Sequence, residues 1–416
     1  MRWGLRGRGR KAVLACTALT AFAAGGHASG RPAADTPEAL GALIFNDPAL
    51  SASGRMSCAT CHDPAFAHAQ GNALAVQSGG TDLDVPGFRA VPSLRYLNFD
   101  LPFFFDRDGT PVGGFDRDGR ANDLIEQAKR PFLAPHEMAN GDAAALVDKL
   151  ARADYADRFR ALFGDAIFGT PETALLAAVF SVAAFESSAA ELHPFDSKFD
   201  RFLSGKQMLS TQELRGFMLF NRPDKGNCAA CHPSTRQGNG TPPVFTDYTY
   251  DNLGVPRNAA IPANADPRYF DLGLCGPERT DLTARRDLCG AFKVPTLRNV
   301  ATRRAFFHNG RFHSLVDALH FYVERDTNPE RFYPVGDGGV VDKFDDLPPE
   351  LRSNVNRSEV PYDRKPGQSP RLSADEIADV AAFLGTLTDG YDPATDTADP
   401  ARSLVRPATV RKNGER

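Results

Sequence analysis

The stretches Cys58-Ala59-Thr60-Cys61-His62 and Cys228-Ala229-Ala230-Cys231-His232 decide how this chain of 416 residues is read. Each is C-x-x-C-H, the attachment signal of c-type haem. Two thiols three residues apart reach the two vinyl groups of one porphyrin and become thioethers. The next residue then lies under the ring, where its imidazole binds iron. A zinc site needs no histidine directly after each second cysteine, and a thioredoxin-like redox pair rarely occurs twice with that histidine. Cys58, Cys61, Cys228 and Cys231 are therefore expected to hold two covalently bound haems c, with His62 and His232 as iron ligands.

The surroundings fit an exported protein. Five cations and no acid precede a 13-residue apolar run, Ala12 to Ala24, and Gly26-His27-Ala28 offers a small-x-small cleavage site. This reads as a signal peptide over 1–28, and for a bacterial-looking signal the destination is the periplasm. A short buried N-terminal helix is the bland alternative, and Cys16 raises a lipoprotein one, although Val13-Leu14-Ala15 matches a lipobox poorly. In an oxidising compartment Cys275 and Cys289 are expected to bridge each other, free buried thiols being the alternative. Subtracting the five leader cations from the formal charge of −4 leaves −9, an acidic body that argues against nucleic acid as a partner. No apolar run reaches the ~18 residues of a membrane span.

The chain repeats itself once, in order. Gly41 to Asn46 recurs as Gly216 to Asn221, a C-x-x-C-H follows each, Val91-Pro92-Ser93-Leu94-Arg95 recurs as Val294-Pro295-Thr296-Leu297-Arg298, and Asp118-Gly119-Arg120 recurs as Asn309-Gly310-Arg311. Four matches in sequence indicate duplication. Helix starts are marked by Thr36-Pro37, Thr170-Pro171, Ser210-x-x-Glu213 and Ser373-x-x-Glu376. The expected fold is mainly α and loop-rich, with two cytochrome-c-like haem domains, 29–188 and 189–388. The long apolar helix Glu172 to Glu186 is expected to pack between the halves, and a frayed tail to run over 389–416.

On these residues the sequence resembles the bacterial di-haem cytochrome c peroxidase and MauG superfamily. The matching stretches are SCATCHDPAFAHAQ at 57–70, VPSLRYLN at 91–98, DGRANDLIEQA at 118–128, PHEMAN at 135–140, GNCAACHPS at 226–234, FKVPTLRNVA at 292–301 and FFHNGRFHSLVDALHFY at 306–322. The resemblance implies a high-spin N-terminal haem that meets peroxide and a low-spin C-terminal haem that passes electrons.

It also implies roles. Glu137 would stand over the peroxide-binding face as acid–base, with Gln127 as its companion amide; without the resemblance they read as a helix-end acid and a solvated amide. Gln77-Ser78-Gly79-Gly80-Thr81 matches a loop that carries a distal histidine in reductively activated relatives and holds none here, so the first haem is expected five-coordinate or with water. His68 and His136 are loose histidines near it. Tyr322 falls where the family places the sixth ligand of the second haem. A helix capped at Ser314 would align it with Leu315, Ala318 and Leu319. A core tyrosine is the alternative, and His308, His313 and His320 are rival ligands.

Two departures stand out. Family members carry a Trp between the haems as an electron relay; Arg117 is there instead, leaving Tyr96 or Phe103–Phe105 as weak substitutes. The Asn that helps hold a calcium ion in relatives is Ala90, which weakens the case for calcium, although backbone carbonyls still supply part of a site. The implied activity is reduction of hydrogen peroxide with electrons from a small periplasmic cytochrome c or cupredoxin. The alternatives are a MauG-like enzyme that uses a ferryl di-haem state to oxidise a residue of a partner protein, and a non-catalytic di-haem electron carrier.

Overall fold

A computed structural model describes residues 35–395. The expected signal peptide lies outside the described residues, as does the chain beyond 395. Among the described residues ten α-helices carry the architecture: α1 (Pro37–Asn46), α2 (Cys58–Cys61), α3 (Leu124–Leu133), α4 (Ala143–Leu150), α5 (Ala156–Phe163), α6 (Pro171–Ser188), α7 (Lys198–Leu203), α8 (Thr211–Asn221), α9 (Leu315–Glu324) and α10 (Ala374–Gly385). Sheet among the described residues is limited to antiparallel pairs of two-residue strands, such as Tyr250 and Asp251 opposite Lys293 and Phe292. The fold is mainly α and loop-rich, as expected.

The helix starts follow the local chemistry. The Thr36 hydroxyl accepts from the Ala39 N–H at 3.1 Å ahead of Pro37. Ser210 and Glu213 cap each other reciprocally at 3.2 and 2.7 Å, and Ser373 and Glu376 at 3.2 and 2.9 Å. Thr170 stands at its N-cap without a side-chain bond.

Two main cores form. Leu40, Ile44, Phe45, Phe132, Leu150, Phe159 and Val182 fill the first, drawn from α1 and α3 to α6. Phe199, Phe220, Phe245, Val380 and Phe383 anchor the second, around α7 to α10. The placement of α6 corrects an expectation. It lies against α1, α3 and α4 in the first core instead of between the halves. Most of its apolar residues are buried within its own half, while Leu176 and Phe180 remain exposed.

The closest helix crossings, α1 on α6 and α8 on α10, share one geometry. A Cβ on Gly41 would stand 1.9 Å from the Ser181 carbonyl oxygen and 2.9 Å from the Phe185 Cβ. A Cβ on Gly216 would stand 1.9 Å from the Asp379 carbonyl oxygen and 2.9 Å from the Phe383 Cβ. Glycine here lets the two backbones touch.

The long irregular segments are held by buried arginines. A loop carbonyl without a ladder partner must still find a donor, and a guanidinium offers five. Arg298 grips Asp200 at 2.7 and 2.8 Å and donates to the Pro243 carbonyl at 2.9 Å. Arg325 donates to the Leu253 and Asn356 carbonyls at 2.7 and 2.6 Å. Cys275 and Cys289 form the expected disulfide. The tail expectation is corrected at its start. Asp389 is anchored, accepting from Arg95 at 2.8 Å, the Tyr96 hydroxyl at 2.6 Å and the Asn299 amide at 2.6 Å. Three donors converging on one buried carboxylate fix the chain there, beyond the last helix.

Gly216→Ala is expected to lower stability by about 1–3 kcal/mol or more, since the new methyl meets backbone that cannot yield. Gly385→Ala, whose Cβ meets nothing within 4 Å, is expected to be neutral or mildly stabilising. Thermal unfolding of both variants checks this pair.

Candidate active site

The two Cys-Cys-His turns are built alike. In each, the histidine N–H donates to the carbonyl of the first cysteine at 2.9 Å, His62 to Cys58 and His232 to Cys228. One tight turn thus gathers two sulfurs and an imidazole. The four thiols are unbridged. His62 Nδ1 lies 3.2 Å from the His68 carbonyl and 3.1 Å from the Pro92 carbonyl. His232 Nδ1 lies 2.8 Å from the Phe245 carbonyl. A carbonyl only accepts, so Nδ1 carries the proton and Nε2 keeps a free lone pair, the tautomer a metal ligand needs. Burial pulls the His62 imidazole down to about 4 and lowers His232 too, which keeps both neutral.

On the first half, Glu137 is half-buried in the turn after α3, near enough for its charge to act on Cys58 and Cys61. Its carboxyl has no hydrogen-bond partner among the described residues. Burial, with the Asp116 charge adding to it, pushes this carboxyl up to about 7, and Arg120 and Arg130 oppose the rise. Gln127 is brought into the same cluster, donating to Asp116 at 3.5 Å, while Arg130 holds the other Asp116 oxygen at 2.6 Å. Asp116 is the organiser that sequence reasoning missed. It sits in an Asp-Arg-Asp-Gly-Arg loop, at φ 64°, with no local pattern to mark it. The histidine-free loop is seated on Glu137: Gly80 N–H donates to the Glu137 carbonyl at 2.9 Å, and a Cβ on Gly79 would lie 2.4 Å from that oxygen. His136 packs edge-on to Phe88. His68 is 1% exposed, and neither ring nitrogen has a partner among the described residues. Glu186 was also missed. It is buried on α6, one oxygen unpartnered, and burial pushes it up to about 8.

On the second half a deep cavity is lined by Cys228, Cys231 and His232, and by Leu315, Ala318, Leu319 and Tyr322 of α9. The expected helix face is therefore the one that looks into the cavity. The Tyr322 hydroxyl meets no hydrogen-bond partner among the described residues, although its ring packs on Phe307 and Tyr362. Among its rivals, His308 also lines the cavity, stacked on Phe292 at 3.7 Å. His320 is tied to Glu324 at 2.8 Å, and His313 lies 3.4 Å from the Arg304 carbonyl. A cavity walled by two cysteines and a histidine with a bare Nε2, and holding a free phenol, suits a covalently attached haem. In the first half, Cys58, Cys61 and His62 repeat that donor set.

The same cavity reaches Tyr96, Asp116 and Arg117. Arg117 Nε donates to the Ala90 carbonyl and Arg303 Nη2 to the Val91 carbonyl, both at 2.8 Å. Phe103 and Phe105 lie apart from this cavity, packed on each other at 5.4 Å, with Phe103 also against Tyr250.

Comparison with known proteins adds the family. A family model described as di-haem cytochrome c peroxidase matches residues 36–208. The methylamine utilization protein MauG of Paracoccus denitrificans (strain Pd 1222) is 37% identical over 409 residues, covering 94% of this chain and 99% of that protein. A cytochrome c551 peroxidase of Nitrosomonas europaea is 30% identical, with coverage of 67% and 70%. The crystal structure of the diheme peroxidase BthA from Burkholderia thailandensis E264 superposes with a TM-score of 0.78 at 39% identity, over 86% of this chain and 87% of that one. With paired Cys-Cys-His turns on a helix-rich frame, the chain belongs to the di-haem cytochrome c peroxidase and MauG superfamily.

Proposed function

We propose that this protein is an exported, periplasmic di-haem oxidoreductase that reduces hydrogen peroxide at its N-terminal site. Electrons reach it through the C-terminal site from a small cytochrome c or cupredoxin. The observation that carries this reading is Glu137, an unpartnered carboxyl close to Cys58 and Cys61 and poised near neutrality. The two halves read as duplicated cytochrome-c-like domains, 29–188 and 189–388, supported by the shared Gly41 and Gly216 crossings.

Haems attached at Cys58/Cys61 and Cys228/Cys231, with His62 and His232 on iron, supply the electron-accepting and electron-passing centres. The remaining work belongs to side chains. Cleaving the O–O bond of peroxide requires a proton to leave the inner oxygen and arrive at the outer one. Glu137 takes it as carboxylate and returns it as acid, which a group titrating near neutral pH does best. Gln127, held by Asp116, orients the oxygen substrate and water. The loop over 77–81 offers no imidazole that would hold the first haem, and Tyr322 would be the residue of α9 that holds the second.

A second reading, a MauG-like enzyme that oxidises a residue of a partner protein, is favoured by the 37% identity to MauG along nearly the whole chain. Peroxide added to the di-ferric holoenzyme separates the two. Rapid turnover with reduced cytochrome supports the first, a long-lived oxidised state with poor turnover the second, and no spectral change refutes both.

Below about pH 7 Glu137 is protonated and cannot accept, so the rate of reaction with peroxide is expected to fall as pH drops through that value. Glu137→Gln is expected to slow the reaction by ~10²–10⁴-fold and flatten this limb in stopped-flow measurements. Tyr322→Phe is expected to turn the low-spin resting signal of the second haem high-spin in electron paramagnetic resonance; an unchanged spectrum would transfer the ligand role to His308.

A further inference from the structure

Arg117 and Arg303 are unlike the arginines around them. Arg89 is paired with Asp118 and Asp271 at 2.7 and 2.6 Å, Arg120 with Asp118 at 3.0 Å, and Arg298 with Asp200 at 2.7 Å. Asp118, Asp271 and Asp200 are thereby used. Among the described residues the Arg117 and Arg303 guanidinium groups each make one hydrogen bond, to the consecutive carbonyls of Ala90 and Val91 at 2.8 Å. Among the described residues neither meets a carboxylate at ion-pair distance. Both line the cavity of the second Cys-Cys-His turn, and the Arg303 charge also acts on His62 of the first. The two cations also repel: burial and the Arg303 charge together pull the Arg117 guanidinium down to about 9.

Two adjacent guanidinium groups in a poorly hydrated cavity are unfavourable without an anion. The planar N–H fork of arginine fits a carboxylate. Each haem that these turns are shaped to attach carries two propionate carboxylates. We propose that Arg117 and Arg303 form a propionate-binding site at the junction of the two haem pockets. A fixed cation beside a haem favours the form with one electron more, so the pair holds the reduction potential of the haem it contacts upward.

The inference rests on the di-haem reading but not on peroxide chemistry. Its test is a spectroelectrochemical titration of both haems in the purified holoenzyme, without peroxide, in Arg117→Gln, Arg303→Gln and Arg117→Lys. Covalent haem content, read as the pyridine haemochrome, controls for loading. Each Gln variant is expected to shift one potential downward at full haem content, while Arg117→Lys stays near the parent. Potentials unmoved in fully loaded Gln variants would overturn the proposal. Should Arg117→Gln fail to accumulate, Arg303→Gln reads the same cation pair. Unshifted potentials in an enzyme that turns over peroxide count against this inference alone; the expected shifts in an enzyme inert to peroxide count against the peroxidatic reading alone.

Discussion

A histidine can serve as a metal ligand only if one ring nitrogen is bare, and in both halves of this molecule a backbone carbonyl takes the other. Pro92 and His68 supply it for His62, Phe245 for His232. This bond fixes the tautomer and the ring direction together. Everything around it serves to hold those carbonyls still. Ser93 donates to the Ala67 carbonyl at 2.6 Å, Thr246 to the Val294 carbonyl at 2.7 Å, and Thr296 to the Val244 carbonyl at 2.6 Å. The repeated Val-Pro-x-Leu-Arg segments therefore act as struts, and their closing arginines, Arg95 and Arg298, bolt them to Asp389 and Asp200.

Charge placement divides the molecule by task. Where structure is needed, cations and acids meet in close buried pairs, which are expensive to break. Where chemistry is expected, the pairing is left incomplete. Among the described residues Glu137 meets no donor, Tyr322 no acceptor, and Arg117 and Arg303 no acid. Unpaired polar groups inside a protein are costly, and here they gather around the spaces that adjoin the paired cysteines.

The family joins cytochrome c peroxidases and MauG on one scaffold, so the scaffold does not choose between the two readings. The region between the two sites bears on that choice. Arginine at 117 cannot be oxidised as tryptophan can, while Tyr96, whose hydroxyl donates to Asp389 and whose ring lies 5.0 Å from the Arg298 guanidinium, lines the shared cavity.

Local chemistry determined the attachment turns, the helix caps and the face of α9. Those signals live within five or ten residues, where spacing fixes geometry. The Gly41 and Gly216 repeats were visible, but the reason for glycine, a backbone touching a helix more than 130 residues away, was not. The home of α6 was decided by its packing on α1, α3 and α4, and the order of the chain at Asp389 by three donors brought from positions 95, 96 and 299. Asp116 and the Arg117–Arg303 pair likewise exist as sites only in three dimensions. Coulomb interaction and burial depend on distance through space, and a sequence records only distance along the chain.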